Sequence, residues 1–220
     1  MRVVEIFGSI DGEGKRTGQL ATFIRLAGCN LRCCYCDTTY SFDMNAAKEM
    51  SVSDIVKKCQ DIGYHNITLT GGEPLVHEEV DALIFDLCAR GYQVNVETNG
   101  SVDLTRFCAM RYKYDLDLFF TVDFKTIYSG MRKRMNALSF DKLDIERDIV
   151  KCVVANREDM DDALSYLDSL KKKFNIWFSP VFGKIEPKEI VEYVIEHKRQ
   201  DVTTQVQLHK IIWDPNKRGV

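Results

Sequence analysis

The chain has 220 residues, 45% of them hydrophobic and 29% charged, which suits one domain spanning 1–220 with a full core. A formal net charge of −3 leaves no electrostatic footprint for nucleic acid, so a small molecule is the expected partner. No apolar run reaches the length of a membrane span and the N-terminus lacks a secretory h-region, so a cytoplasmic protein with its eight cysteines reduced is expected.

Residues 1–19 read as a loop. Gly8, Gly12, Gly14 and Gly18 punctuate it, with Asp11 and Glu13 between them, leaving backbone that another group can approach closely. Leu20 to Leu26 is a mostly apolar run and a predicted buried strand, interrupted by Arg25, whose planar fork suits a carboxylate. Residues 40–50 read as loop. Ser51 or Ser53 then caps a helix with Val52, Ile55, Val56, Cys59 and Ile62 on one face and Gly63 as its stop. Asn66 to Thr70 is a short strand running into Gly71-Gly72-Glu73-Pro74. A second helix begins near His77, carries Val80, Leu83, Ile84, Leu87 and Cys88 at helical spacing, and stops at Gly91. Residues 92–97 alternate as a strand that ends at Thr98-Asn99-Gly100.

The unit repeats through the second half. Leu118 to Val122 is a strand ending at Asp123-Phe124-Lys125, and Asp148 to Val154 is another. Met160, Ala163, Leu164, Leu167 and Leu170 mark a helix, Asn175 to Ser179 a strand, and Pro187 starts a helix with Ile190, Val191, Val194 and Ile195 as its inner face. Gln205 to Lys210 reads as the last strand, with His209 and Lys210 at its exposed end, and Met131 to Arg134 as a solvated helix face. Strands alternating with helices imply right-handed βαβ units and a mostly parallel sheet. About six such units fall short of a closed eight-stranded barrel of about 250 residues, so the expected fold is α/β, a partial, open (β/α)6-type TIM barrel. Its active site would lie on the loops after the strands' C-terminal ends.

The loop after the first strand holds the most informative residues, Gly28-Cys29-Asn30-Leu31-Arg32-Cys33-Cys34-Tyr35-Cys36-Asp37-Thr38. Cys29, Cys33 and Cys36 are spaced C-x3-C-x2-C, and thiolates are the usual ligands of iron–sulfur clusters. Three ligands on a four-iron cube leave one iron free to take a small molecule, which separates a catalyst from an electron carrier. Cys34 could replace Cys33 as a ligand or complete a four-Cys set, but neighbouring side chains on an extended loop diverge, which favours it as a bystander. A structural zinc site would need a second ligand pair, and Cys59 and His65 are not so spaced. Cys59, Cys88, Cys108 and Cys152 read as small core hydrophobes. In the Gly-Gly turn, Glu73 could accept from an ammonium group.

With Gly71-Gly72-Glu73-Pro74 after the next strand, the chain resembles the radical S-adenosylmethionine (SAM) superfamily, in which the open iron binds the amino and carboxylate groups of SAM and the reduced cluster cleaves it to a 5′-deoxyadenosyl radical. Ser9-Ile10-Asp11-Gly12-Glu13-Gly14, Phe23 to Leu31, Cys36-Asp37-Thr38 and Gln207-Leu208-His209-Lys210 resemble the 7-carboxy-7-deazaguanine synthase family of deazapurine (queuosine precursor) biosynthesis. That resemblance implies ring contraction of 6-carboxy-5,6,7,8-tetrahydropterin with loss of ammonia, a [4Fe-4S] cluster, SAM, Mg2+, an electron donor such as a flavodoxin or ferredoxin, and a homodimer. It implies Cys29, Cys33 and Cys36 as cluster ligands and Thr38 on magnesium. Tyr35, Cys36, Asp37, Gly72, Asp123, Phe124 and Lys125 would contact SAM, and Ile10, Asp11, Gly12, Glu13, Arg25 and Thr70 the pterin. Asp11 stands where the family often has Gln, and Asp123-Phe124-Lys125 where it often has Ser-Pro-Lys. The rival readings are a glycyl-radical activating enzyme and a non-catalytic iron–sulfur or zinc module.

Overall fold

In the computed structural model, which describes residues 1–215 and 217–220, the strands pair into one nine-stranded sheet. Strands β1 (Arg2–Ile10) and β2 (Leu20–Leu26) form an antiparallel hairpin, and β3 (Lys48–Glu49) adds to the outer edge of β1. From β2 onward every pairing is parallel, through β4 (Asn66–Gly71), β5 (Gln93–Thr98), β6 (Leu118–Phe124), β7 (Ile149–Val154), β8 (Ile176–Pro180) and β9 (Val202–Thr204). Helices α1 (Val52–Ile62), α2 (Val80–Ala89), α3 (Thr105–Tyr114), α4 (Ala137–Asp141), α5 (Arg157–Ser169) and α6 (Pro187–Glu196) occupy the connections, and α7 (Leu208–Ile212) follows the last strand. This is the expected open, partial barrel.

Side-chain alternation decides which face of the sheet does what. Ile67, Leu69, Val94, Val96, Phe120, Val122, Val150, Cys152, Ile176 and Phe178 point outward into a core shared with the helices. Among the alternate residues, polar and charged ones point into the barrel on five successive strands, Thr70, Glu97, Asp123, Lys151 and Ser179, beside the apolar Val153 and Trp177. Burying one apolar residue in two against helices stabilises the shell at ~25 cal/mol per Å2. The other half is thereby released for chemistry inside.

Local signals hold where they are chemically explicit. Ser51 and Asp54 form a reciprocal capping box at the start of α1, and Gly63 closes it in the left-handed region at φ 83°. Four expectations are corrected. Residues 2–10 are a strand, because Val3 is buried in the core and the hairpin partner β2 satisfies the backbone. Residues 205–210 are not a strand: β9 ends at Thr204 and Leu208 starts α7, whose first N–H is held by Gly12 O at 3.0 Å. On α6 the inner face is Ile190 and Tyr193, while Val191 and Ile195 are exposed. Arg132 is no solvated residue, since it pairs with Asp162 at 2.7 Å and stacks on Tyr166 and Phe124. Helix α3 escaped the periodicity because Arg111 sits on its buried face, where Asp148 Oδ1 accepts from it at 2.7 Å.

Candidate functional site

The inward residues and the loops above them enclose one cleft of about 870 Å3. Its floor is the loop between β1 and β2, which folds beneath the barrel. Arg16 pins that loop by donating to Ile67 O and Gln93 O at the starts of β4 and β5, and by pairing with Asp11 at 2.8 Å. Ile10, Gly12 and Glu13 therefore face the cleft. Asp11 does not: it lies under the floor between Arg16 and Thr68, whose hydroxyl donates to it at 2.6 Å. Burial raises the Asp11 carboxyl, against the pull of Arg16.

The cysteine loop follows β2 at the opposite end. Cys29, Cys33 and Cys36 are free thiols lining the cleft, and Asn99 Nδ2 approaches Cys29 Sγ at 3.7 Å. Burial pushes the Cys33 thiol up to about 11 and Cys36 in the same direction, with Lys125 working against both. Cys34 is exposed at the rim of the same cleft and donates to Tyr128 O at 2.9 Å. The Gly-Gly turn is packed against this loop. Glu73 N donates to Gly28 O at 2.8 Å, and a Cβ on Gly72 would lie 2.8 Å from Cys29 Cβ. Glu73 itself is buried with three donors, Thr98 Oγ1 at 2.8 Å, Asn99 N at 2.6 Å and Leu75 N at 3.1 Å, so it ties the turn to β5 rather than facing an ammonium group. Burial lifts its carboxyl to about 7.

Arg25 lines the cleft with Nε on Glu5 Oε1 at 2.8 Å, and Tyr40 donates to the same oxygen at 2.9 Å. Beside it in the parallel register, Thr70 donates to Glu97 Oε2 at 3.0 Å. Burial raises the Glu97 carboxyl. Next to Glu97 stand Asp123 and Lys151, paired in register, and Lys125, whose ammonium lies 2.6 Å from Asp123 Oδ2. Burial disfavours both ammonium ions, yet Asp123, joined by Glu13 at Lys151, holds each above the usual lysine range. Phe124 does not reach the cleft. Its ring packs behind the sheet against Tyr166 and Phe140, as the residue between two inward neighbours must.

The fourth wall comes from α7. His209 covers Gly12 so closely that any Cβ there would collide with its ring, and Lys210 pairs with Asp37 at 2.7 Å. Burial opposes ionisation of Asp37, but Lys210 and Thr38 Oγ1, donating at 2.9 Å, bring its carboxyl down to about 2. Sequence reasoning placed His209 and Lys210 on a strand end and passed over Lys151. A signal for Lys151 existed: it is the sole charge in the apolar run Ile149–Val154.

Residues 23–194 match the family model described as the radical SAM superfamily. The chain is 42% identical over 223 residues to the 7-carboxy-7-deazaguanine synthase of Clostridium acetobutylicum, covering 100% of this chain and 99% of the relative. The chain belongs to the 7-carboxy-7-deazaguanine synthase family. A second synthase, from Chlorobaculum tepidum, is 35% identical over 224 residues and is covered to 97%. The crystal structure of QueE from Escherichia coli superposes with a TM-score of 0.73 at 22% identity, covering 93% of both chains, and supports the same fold.

The cofactors of a radical SAM synthase are a [4Fe-4S] cluster and SAM, and the site suits them. Three soft thiols on one loop match iron, which deprotonates such ligands outright. Among the described residues no three His, Cys, Asp or Glu side chains converge on a single ion, whereas a cube spreads its ligands over separate irons. Gly72 leaves a cradle beside Cys29, and Tyr35 Oη is buried with no hydrogen-bond partner among the described residues. The Thr38 hydroxyl is an oxygen donor of the hard kind that magnesium prefers. No helix of the structure is long and apolar enough to cross a membrane.

Proposed function

We propose that this chain contracts the ring of 6-carboxy-5,6,7,8-tetrahydropterin to 7-carboxy-7-deazaguanine with loss of ammonia. The observation that carries the reading is the sharing of one cleft by the three free cysteines and by a set of carboxylates and cations sized for a small zwitterion. When bound, the cluster and SAM supply a reducing electron and the radical that takes a hydrogen atom from the substrate. Cys29, Cys33 and Cys36 hold the cluster; Tyr35, Cys36, Asp37, Gly72, Asp123 and Lys125 surround SAM. Phe124 takes part through its backbone alone. Thr38 holds magnesium through its hydroxyl.

The protein's own work is orientation. Arg25, steered by Glu5 and Tyr40, presents its remaining fork to the substrate carboxylate, as bidentate pairing favours. Thr70, Ile10, Gly12 and Glu13 bound the pterin, and Asp11 acts from below by fixing the floor through Arg16. Lys125 keeps Asp123 ionised so that it can accept from a ribose hydroxyl. We assign the whole chain to one catalytic domain in the cytoplasm, where thiols stay reduced, served by a flavodoxin or ferredoxin. Exposed Val191, Ile195, Ile211 and Ile212 support a homodimer.

Anaerobic turnover with the carboxypterin, SAM, magnesium and a reductant tests this reading. Ammonia release together with the ultraviolet spectrum of a deazapurine is the expected result. SAM cleavage without either product would refute it.

A further inference from the structure

Strand β7 places one ammonium group where the two halves of the cleft meet. Lys151 Nζ lies 3.3 Å from Glu13 Oε2 and 3.3 Å from Asp123 Oδ1. On the floor side, Ser179 Oγ donates to Glu13 at 2.7 Å. On the other side, Lys125 pairs with Asp123 at 2.6 Å and its ammonium lies 5.9 Å from the centre of the Tyr35 ring on the cysteine loop. Ser179, Glu13, Lys151, Asp123, Lys125 and Tyr35 form one continuous row from the floor to the cysteine loop.

Lys151 is needed to offset the acids around it: two ammonium groups face three carboxyl groups, and Lys125 alone would face all three. Glu13, Glu97 and Asp123 all face the cleft, and Lys125 is taken up by Asp123. Without the second lysine, buried carboxylates would confront one another uncompensated, and taking away one partner of a buried pair costs far more than the pair contributes. His209, from α7, lines the same space, and burial keeps its imidazole below its usual range, so it does not replace the missing cation.

We propose that Lys151 is a positioning residue that couples the two ligand sites, holding Glu13 on the pterin side and Asp123 on the SAM side with one ammonium group. The coupling rests on the assignment of Glu13 to the substrate and Asp123 to the cofactor made above. Lys151 acts through these two carboxylates, and each ligand's affinity then depends on the same cation.

Dissociation constants of SAM and of the carboxypterin, measured separately by calorimetry on the anaerobic, iron-loaded protein, test this without turnover. Lys151→Met is expected to weaken both ligands by about tenfold or more, and Lys151→Arg to restore both to within about threefold of the natural protein. The deciding variant is Lys151→Met combined with Glu13→Gln. Removing the facing acid should return SAM affinity to within about threefold while the pterin stays weak, a rescue that a purely structural lysine would not show. Unchanged affinities in Lys151→Met, loss of only one ligand, or no recovery of SAM binding in the double variant would overturn the coupling. If Lys151→Met does not fold, Lys151→Gln takes its place with the same expected pattern. Protein that binds SAM but not the carboxypterin would refute the substrate assignment instead, and the SAM arm would still decide the role of Lys151.

Discussion

Replacing Gly72 by alanine tests whether the Gly-Gly turn is the seat of the cysteine loop. The added Cβ would lie 2.5 Å from Gly28 C and 2.8 Å from Cys29 Cβ, and closer still to the Gly28 carbonyl oxygen. Two of those atoms are backbone, which no rotamer change relieves, so the turn and the cysteine loop must separate. Overpacking of this kind costs about 1–3 kcal/mol. In a chain of 220 residues each kcal/mol lowers the melting temperature by roughly 2–4 °C, giving a fall of about 2–12 °C. The functional loss should be larger than the stability loss, because Cys29 moves with Gly28. Iron and sulfide per chain after anaerobic reconstitution, read beside the melting curve, give both quantities. Gly91→Ala is the control: its φ of 84° strains an alanine, but nothing lies within 4 Å of the new Cβ, so it should cost about 1–2 kcal/mol and leave iron content unchanged. Gly72→Ala protein with a native melt and full iron would refute the seating argument.

Other perturbations probe the remaining parts. Cys29→Ala, Cys33→Ala and Cys36→Ala should each abolish SAM cleavage and lower bound iron, whereas Cys34→Ala, which loses only a contact to Tyr128 O, should retain both; cluster loss on Cys34→Ala would reverse the ligand assignment. Glu73 has a folded value near 7, above its ordinary 4.5, so the folded state binds the proton more tightly and the wild type should lose up to roughly 3 kcal/mol as pH rises between those values. Glu73→Gln should remove that slope and, because an amide accepts at one oxygen only, cost about 1–3 kcal/mol in the range where the acid is protonated; denaturant titrations from pH 4.5 to 7 measure both. Asp37 has a folded value lowered from 3.8 to about 2, so its pairing with Lys210 stabilises above the ordinary value and is lost as pH falls through about 2. Lys210→Met should therefore melt below the wild type at neutral pH, with the gap closing in acid. A gap that persists at the lowest pH would mean that Lys210 acts by packing on Phe182 instead.

The placement of the cysteines on one loop after a strand, the helix caps and the parallel order of strands were legible in the sequence because each is a local matter. A C-x3-C-x2-C spacing needs only one loop, Ser51 reaches a residue three positions away, and an apolar run flanked by helices has few ways to pair. Residues whose role depends on a distant partner were not legible. The family resemblance implied Asp11 as a contact for the substrate, yet Arg16 and Thr68 claim it once the loop folds under the barrel. Phe124 sits between two cleft residues in sequence and faces the other side in space, since a strand alternates.

By itself, then, the sequence determined that three cysteines spaced C-x3-C-x2-C stand on one loop after the first parallel strand, and that a glycine-rich turn follows the next. Only the tertiary structure decided which acids and lysines share the cleft. Glu13, Glu97, Asp123 and Lys151 come from four separate segments, and His209 and Lys210 from a helix the periodicity read as a strand. The physical reason is that charge pairing inside the barrel is set by strand register and by curvature of the sheet, which bring residues far apart in the chain within a few ångströms of one another.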